Sequence, residues 1–141
     1  MITKAIKIAQ EAHHGQKDKA GRPYIGHLLR VMQSGNTEDE RICGVLHDLV
    51  EDTTWTFDDL MEEGFPKHII EALKCLTKQK NENYDQFIDR VIKNPLASHV
   101  KLNDLKDNMD IRRLEKISEN DRERLNKYLK AYRKLQSHLN K

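Results

Sequence analysis

The segment 42–53 constrains the fold of this chain most strongly, because it places ionisable residues inside an apolar run. Its apolar positions recur at the spacing of one helix face, at Ile42, Val45, Leu46 and Leu49. Its ionisable positions, which pair at separations of three or four residues on the other face, are His47, Asp48, Glu51 and Asp52. Because an unpaired buried charge is costly, we predict a helix that is buried on one side and presents metal ligands on the other.

The helical spacing of apolar residues recurs along the rest of the chain, and no segment shows the alternation of a half-buried strand. The predicted helices cover residues 3–14, 24–33, 37–52, 56–64, 66–77, 84–93, 95–109 and 121–139. Thr37 and Thr56 are followed by acidic residues and are predicted helix caps. We expect an all-α, single-domain orthogonal bundle of about seven or eight helices over residues 1–141.

The composition narrows the class of protein. The formal net charge is only +2, so we expect no nucleic-acid partner, and the basic C-terminal segment is interpreted as the solvated side of an amphipathic helix. No apolar run reaches membrane-spanning length, and the N-terminus lacks the apolar core of a signal peptide. Cys43 and Cys75 have no metal-type spacing and are predicted to be small buried residues. These features predict a cytoplasmic protein without a membrane partner, and they leave the oligomeric state open.

Two distant residues are candidates to complete a metal site with His47 and Asp48. His27 lies on the second predicted helix, and Asp104 lies among apolar residues of the helix predicted over 95–109. Spacing alone does not join them, because a lone His is more often a satisfied polar residue and an Asp in a charged helix is usually solvated. If they do converge, two imidazoles and two carboxylates suit Mn²⁺, Fe²⁺ or Zn²⁺ better than soft copper.

Several motifs, taken in chain order, narrow this hypothesis further. They are residues 12–16 (AHHGQ), 19–27 (KAGRPYIGH), 46–53 (LHDLVEDT), 76–78 (LTK), 100–104 (VKLND) and 108–109 (NM). Together they resemble the RelA/SpoT-type (p)ppGpp hydrolase module of the HD-domain phosphohydrolases. The resemblance extends over nearly the whole chain, and we expect a small stand-alone version of that module, without the synthetase and regulatory regions of longer members.

The resemblance implies the HD-domain fold and one divalent metal ion, which is Mn²⁺ in the well-known alarmone hydrolases. It implies that the ligands of this ion are His27, His47, Asp48 and Asp104. It also implies that Glu51 and Asp52 position or deprotonate the attacking water. The helical spacing is compatible with that role, because Glu51 lies one turn beyond His47 and can reach the edge of the coordination sphere.

The resemblance also implies contacts to a nucleotide. Asn108 is expected to contact the sugar or a phosphate, and Lys19 lies where the family has basic residues around the nucleotide. Among the many basic residues we expect Lys19 and Lys101 to receive substrate phosphates. Two departures stand out: Asp18 occupies a position that is usually basic, and Leu-Lys-Asp at 105–107 replaces the Arg-Leu-His of the family.

The leading hypothesis is therefore a metal-dependent phosphohydrolase acting on a phosphorylated nucleotide, with (p)ppGpp 3′-pyrophosphohydrolase as the nearest activity. Asp18 keeps a second hypothesis open, in which the substrate is another nucleotide phosphate and the activity resembles that of an NADPH phosphatase. A third hypothesis is a regulatory module that binds a nucleotide without turning it over. The Glu51–Asp52 pair argues against this third hypothesis, because a binding module needs no group to activate water.

Overall fold

The computed structural model describes residues 1–140, and these residues form helices joined by short loops, without a β-strand. The helices are α1 (Ile2–Ala12), α2 (Ile25–Gln33), α3 (Glu38–Leu46), α4 (Leu49–Asp52), α5 (Phe57–Glu62), α6 (Lys67–Leu76), α7 (Tyr84–Ile92), α8 (Pro95–Asn108) and α9 (Glu119–Leu139). A single 3-10 turn, Ile111–Arg113, precedes α9. The all-α prediction is confirmed for this part of the chain.

The helix predicted to carry both His47 and Asp48 is interrupted at those two residues. Asp48 has φ −101° and ψ 1°, in the sparsely populated bridge region where many active-site residues are found. Helical hydrogen bonding resumes when the Asp52 amide donates to the Asp48 carbonyl at 3.0 Å. If α3 and α4 are counted as one interrupted element, the described residues contain eight α-helical elements, in agreement with the expected number.

The helix starts follow local capping chemistry. Thr37 and Thr56 cap α3 and α5 as predicted, each accepting a hydrogen bond from a backbone amide of the first turn. Ser118 and Asp121 form a reciprocal capping box at the start of α9, so this helix begins slightly before the predicted residue 121.

Helix α3 forms the centre of the bundle and contacts α1, α2, α6 and α8. Its buried residues are Ile42, Cys43, Gly44, Val45 and Leu46. A Cβ atom at Gly44 would lie 3.1 Å from the Met32 Cα, so glycine permits the close approach of α3 to α2. This approach places the C-terminus of α3 beside the second helix and its histidine.

Both cysteines are free thiols. Cys43 is fully buried in the core, as predicted, whereas Cys75 is only half-buried. Among residues 1–140, no helix combines the length and the apolar character that a membrane crossing requires.

Candidate metal centre and nucleotide cavity

Three of the four predicted metal ligands converge in the interior of the bundle. His27 comes from α2, His47 from the C-terminal end of α3 and Asp104 from α8, and one ligand atom of each lies within 4.8 Å of the other two. The Nε2 atoms of His27 and His47 lie 2.9 Å and 3.1 Å from Oδ1 of Asp104. All three residues are buried, with at most 4% of their surface exposed. The packing of α2, α3 and α8 therefore builds a compact group of two imidazoles and one carboxylate.

The other nitrogen of each ring fixes which tautomer is present. Nδ1 of His47 lies 2.7 Å from the Gly44 carbonyl oxygen, and Nδ1 of His27 lies 2.6 Å from Oδ2 of Asp107. A carbonyl or an ionised carboxylate oxygen can only accept, so both Nδ1 atoms donate. When the rings are neutral, both Nε2 lone pairs consequently face the carboxylate of Asp104.

This arrangement fits a divalent metal ion. When the rings are neutral, the two Nε2 atoms and the carboxylate oxygen are all acceptors, and a cation between them would satisfy all three. Within the described residues, Nε2 of His27 has no hydrogen-bond partner of adequate geometry, although Oδ1 of Asp104 is 2.9 Å away. The mixed nitrogen and oxygen donor set suits Mn²⁺, Fe²⁺ or Zn²⁺.

Asp48, the fourth predicted ligand, lies at the edge of this triad. Its Oδ2 is 3.1 Å from Nε2 of His47 and 3.9 Å from Nε2 of His27. The hydroxyl of Tyr24 donates a hydrogen bond to the same Oδ2. Asp48 is thus adjacent to the triad without belonging to its most compact set of atoms, and its role as a ligand stays a prediction.

The electrostatics of the triad favour ionised carboxylates. Burial opposes ionisation of Asp104, but Lys101 and His47 outweigh it and hold the pKa of Asp104 well below its ordinary value. Burial likewise opposes the charge on His47, but Asp48 and Asp104 raise the pKa of that imidazole well above its ordinary value. These opposite shifts have one physical origin, which is the mutual ion pairing of the buried carboxylates with Lys101 and the imidazole.

Glu51 and Asp52 lie on α4 beside the triad. With Asp48, Lys101 and Asp104 they line a cavity of about 320 Å³. Burial, with the neighbouring negative charge of Asp48, raises the pKa of both carboxyl groups, which makes each a better proton acceptor once it is ionised. The structure therefore brings the predicted acid pair to the same cavity as the triad.

A second cavity, of about 360 Å³, adjoins the first, because Tyr24, Asn108 and Tyr128 line both of them. Its basic side chains are Lys17, Lys19, Arg30, Arg113 and Arg124. Burial and the positive charge of Arg124 lower the pKa of Lys19, as expected where cations are crowded. A ligand that spans both cavities would contact the metal triad at one end and a cationic wall at the other.

The predicted substrate-binding residues have different local partners. Lys19 lines the cationic cavity. The Lys101 ammonium donates to Oδ2 of Asp104 at 2.8 Å, and the Asn108 amide donates to Oδ1 of Asp104 at 3.1 Å. Lys101 and Asn108 therefore hold a triad carboxylate in addition to lining the cavity next to it, and their contact with substrate stays a prediction.

Sequence reasoning missed two residues of the site, Tyr24 and Asp107. Tyr24 donates to Asp48, and Asp107 accepts from His27. Both lie three residues from a predicted ligand, Tyr24 before His27 and Asp107 after Asp104. The helical spacing of three residues was the signal that could have indicated both positions.

Comparison with known proteins agrees with this geometry, although no family model matches the chain. The guanosine-3′,5′-bis(diphosphate) 3′-pyrophosphohydrolase of Aquifex aeolicus is 31% identical over 77% of this chain, and the bifunctional (p)ppGpp synthase/hydrolase SpoT of Escherichia coli is 28% identical over 77%. The chain spans only 17% of the length of each of these relatives.

A solved structure shares the fold. It is that of a metazoan ortholog of SpoT, a protein described as hydrolysing ppGpp and playing a role in starvation responses. It superposes with a TM-score of 0.75 at 22% sequence identity, covering 95% of this chain and 84% of its own. The arrangement of helices around the triad is therefore one that a known protein also adopts.

Proposed function

Because this chain is a RelA/SpoT-type HD hydrolase module, we propose that it is a metal-dependent phosphohydrolase that removes pyrophosphate from the 3′ position of (p)ppGpp. One observation carries this proposal most directly. The Nε2 atoms of two buried histidines face the carboxylate of Asp104, beside a cavity that is lined by Glu51 and Asp52. A purely structural histidine pair would not require this combination.

The residues that would hold the ion are His27, His47 and Asp104, with Asp48 as a fourth ligand. We propose Mn²⁺, with Fe²⁺ or Zn²⁺ as alternatives of similar ligand preference. When bound, such an ion polarises a phosphoryl oxygen and lowers the pKa of a coordinated water.

The acidic pair on α4 supplies the proton chemistry. Glu51 accepts a proton from the attacking water, and its raised pKa suits this role as a general base. Asp52 orients the same water from the neighbouring position. As the new oxygen–phosphorus bond forms, the bond between phosphorus and the ribose 3′ oxygen breaks, and that oxygen takes up a proton. The products from ppGpp are GDP and pyrophosphate.

The cationic cavity would receive the rest of the nucleotide. Lys19 would contact a phosphate, Asn108 the sugar or a phosphate, and Lys101 a phosphoryl oxygen next to the triad. The two free cysteines are compatible with a reducing compartment, and we propose a cytoplasmic location.

Asp18 favours a second candidate substrate. Its Oδ1 accepts hydrogen bonds from the amides of Ala20 and Arg22, at 2.9 Å each, so this acidic residue shapes the loop that lines the cationic cavity. An acidic carboxylate at this wall alters the charge that a nucleotide meets there. The alternative is therefore a phosphatase of another phosphorylated nucleotide, such as NADPH.

A substrate panel tests the proposed activity. Purified protein loaded with Mn²⁺ is incubated with ppGpp, GTP and NADPH, and released pyrophosphate and phosphate are measured separately. We expect pyrophosphate from ppGpp, and loss of turnover after chelation with recovery on addition of Mn²⁺. Phosphate release from NADPH alone would favour the second candidate, and no turnover of any nucleotide by metal-loaded protein would contradict the enzyme hypothesis.

A further inference from the structure

Behind the candidate metal centre, Asp107 of α8 contacts two other parts of the chain, which are α2 and the 3-10 turn that precedes α9. It lies on α8, one helical turn after Asp104, and its side chain is 10% exposed. Its Oδ2 accepts the hydrogen bond from Nδ1 of His27 at 2.6 Å. The carboxylate thus lies on the far side of the imidazole from the triad.

Two guanidinium groups hold this carboxylate in place. Arg30 donates from Nε to Oδ1 at 2.7 Å and from Nη2 to Oδ2 at 3.2 Å, in the two-pronged geometry that fixes a carboxylate plane. Arg113 donates to the backbone carbonyl of Asp107 at 2.8 Å and lies 3.5 Å from Oδ2. Asp107 therefore has little freedom to turn away from His27.

Arg30 lies one turn after His27 on α2. Helix α2 therefore supplies two partners of Asp107. They are His27, whose imidazole Asp107 orients, and Arg30, whose guanidinium orients Asp107. Any rotation of His27 away from the triad would break its hydrogen bond to a carboxylate that is already fixed by two other contacts.

His47 provides an internal comparison. Its Nδ1 donates to the carbonyl of Gly44 in the preceding turn, which is a neutral acceptor supplied by the same stretch of chain. His27 instead donates to a charged acceptor from a different helix. A carboxylate behind a ligating imidazole fixes the ring tautomer and increases the basicity of the nitrogen that faces the metal.

We propose that Asp107 is a positioning residue that keeps the proton of His27 on Nδ1 and aims its Nε2 at the metal. The proposal rests on the metal centre assumed in the proposed function, but it is independent of which nucleotide is hydrolysed. A competing explanation is that Asp107 serves only to pair Arg30 and Arg113 and so ties α2 to the end of α8. The two explanations predict different effects of removing the Asp107 charge on the metal affinity and on the tautomer of His27.

The test is the Mn²⁺ affinity of Asp107→Asn, measured by calorimetric titration of metal-free protein. We expect affinity to fall about 10- to 100-fold, the usual effect of losing an outer partner of a metal-binding histidine. Asp89→Asn is the matched control, because Asp89 pairs with Lys134 on the exposed surface and with none of the groups that hold Asp107. We expect the control to bind Mn²⁺ as the parent does.

A second variant keeps the test decisive if Asp107→Asn does not fold. Arg30→Gln leaves the Asp107 carboxylate on His27 but removes the paired guanidinium, and we expect a smaller loss of Mn²⁺ affinity, about threefold. The ring of His27 is followed in both variants by nitrogen NMR in the metal-free state. We expect the parent and Arg30→Gln to hold the proton on Nδ1, and Asp107→Asn to show exchange between the two tautomers.

The outcomes separate this proposal from the proposed function. If the parent binds Mn²⁺ and folded Asp107→Asn binds it equally well with the same tautomer, Asp107 is only an ion-pair partner and the proposal is wrong. If the parent itself takes up no Mn²⁺, Fe²⁺ or Zn²⁺, the metal centre is wrong and this proposal is overturned with it.

Discussion

The hydroxyl of Tyr24 donates a hydrogen bond to Oδ2 of Asp48, which joins the segment that precedes α2 to the interruption between α3 and α4. Oδ2 is also the oxygen that lies 3.1 Å from Nε2 of His47. Burial and the charge of Asp48 raise the pKa of Tyr24 far above its ordinary value, so the phenol remains a donor across the accessible pH range. Tyr24 therefore holds Asp48 at the edge of the triad.

Replacing Tyr24 by Phe should loosen that carboxylate without changing the shape of the site. We expect Mn²⁺ affinity to fall about 10- to 100-fold, because a hydrogen bond to a charged group contributes about 1.5–3 kcal/mol. Tyr132→Phe is the control, since among residues 1–140 that hydroxyl has only a long hydrogen bond, accepted from Gln136 on the same helix. Unchanged metal affinity in Tyr24→Phe would show that Asp48 needs no such support.

Removing either of two predicted ligands, His47 or Asp48, should abolish metal uptake. We expect purified His47→Ala and Asp48→Ala to contain less than stoichiometric metal by elemental analysis. His68→Ala removes an exposed histidine that pairs with Asp39 and should carry the parent's full complement. A stoichiometric ion in Asp48→Ala would reduce the ligand set to the three residues of the compact triad.

Glu51→Gln should separate metal binding from catalysis. The amide has the size of the carboxylate but cannot accept a proton from water, so we expect turnover to fall about 10²- to 10⁴-fold with the metal retained. Glu62→Gln on α5 is the matched control and should turn over normally. Parent-like turnover in Glu51→Gln would assign the general base to another residue.

Metal loading should stabilise the fold. Binding to the folded state alone contributes about 2.7 kcal/mol at a free Mn²⁺ concentration of 100 Kd, which raises Tm by roughly 8 °C for a chain of this size. The measurement is a thermal melt with and without Mn²⁺, after removal of metal by a chelator. His47→Ala should show no such rise, and an equal rise in that variant would place the stabilising ion elsewhere.

The loop between α6 and α7 should contribute to the loss of folding stability at acidic pH. Glu82 accepts two hydrogen bonds from Arg90, and these lower the pKa of its carboxyl group. Since the folded pKa is depressed, the stabilisation is present above the ordinary glutamate value of 4.5 and is lost as the pH falls through the lower folded pKa. We expect denaturant titrations of Glu82→Gln to show a weaker loss of stability over that range than the parent.

The exposed pair of Glu71 and Lys67 offers the control for this experiment. The two charges are 3.9 Å apart on one turn of α6, with most of their surface in water. Glu71→Gln should leave the acid dependence close to that of the parent, because such a pair contributes little. If stability depends on pH identically in Glu82→Gln and in the parent, the pair of Glu82 and Arg90 does not contribute to the acid sensitivity.

Local chemistry in the sequence determined much of this fold. Helical spacing and the absence of strand alternation indicated the all-α class, and capping residues such as Thr37 and Thr56 marked helix starts because a cap needs only its own first turn. The motifs around His27, His47 and Asp104 were also sufficient to nominate three residues that the structure brings together.

The tertiary structure alone decided which partners those residues have. The sequence predicted one continuous helix through Asp48, but packing divides it there, so Asp48 and the Glu51–Asp52 pair face the site from a separate turn. Lys101 was predicted to bind phosphate, and the packing also gives its ammonium a hydrogen bond to Asp104 at 2.8 Å. A side chain's hydrogen-bond partners depend on which helices lie opposite, and helical spacing within one segment carries no information about them.

For Asp107, too, the sequence indicated the position and the tertiary structure decided the contact. Its position one turn after Asp104 was readable from the sequence, whereas its contact with His27 joins residues 80 positions apart and exists only because α2 packs against α8. The sequence by itself determined the class of fold and the types of residue that are candidates to bind a metal. The packing of α2, α3 and α8 decided which nitrogen atoms face the centre, because it sets the acceptors behind each ring.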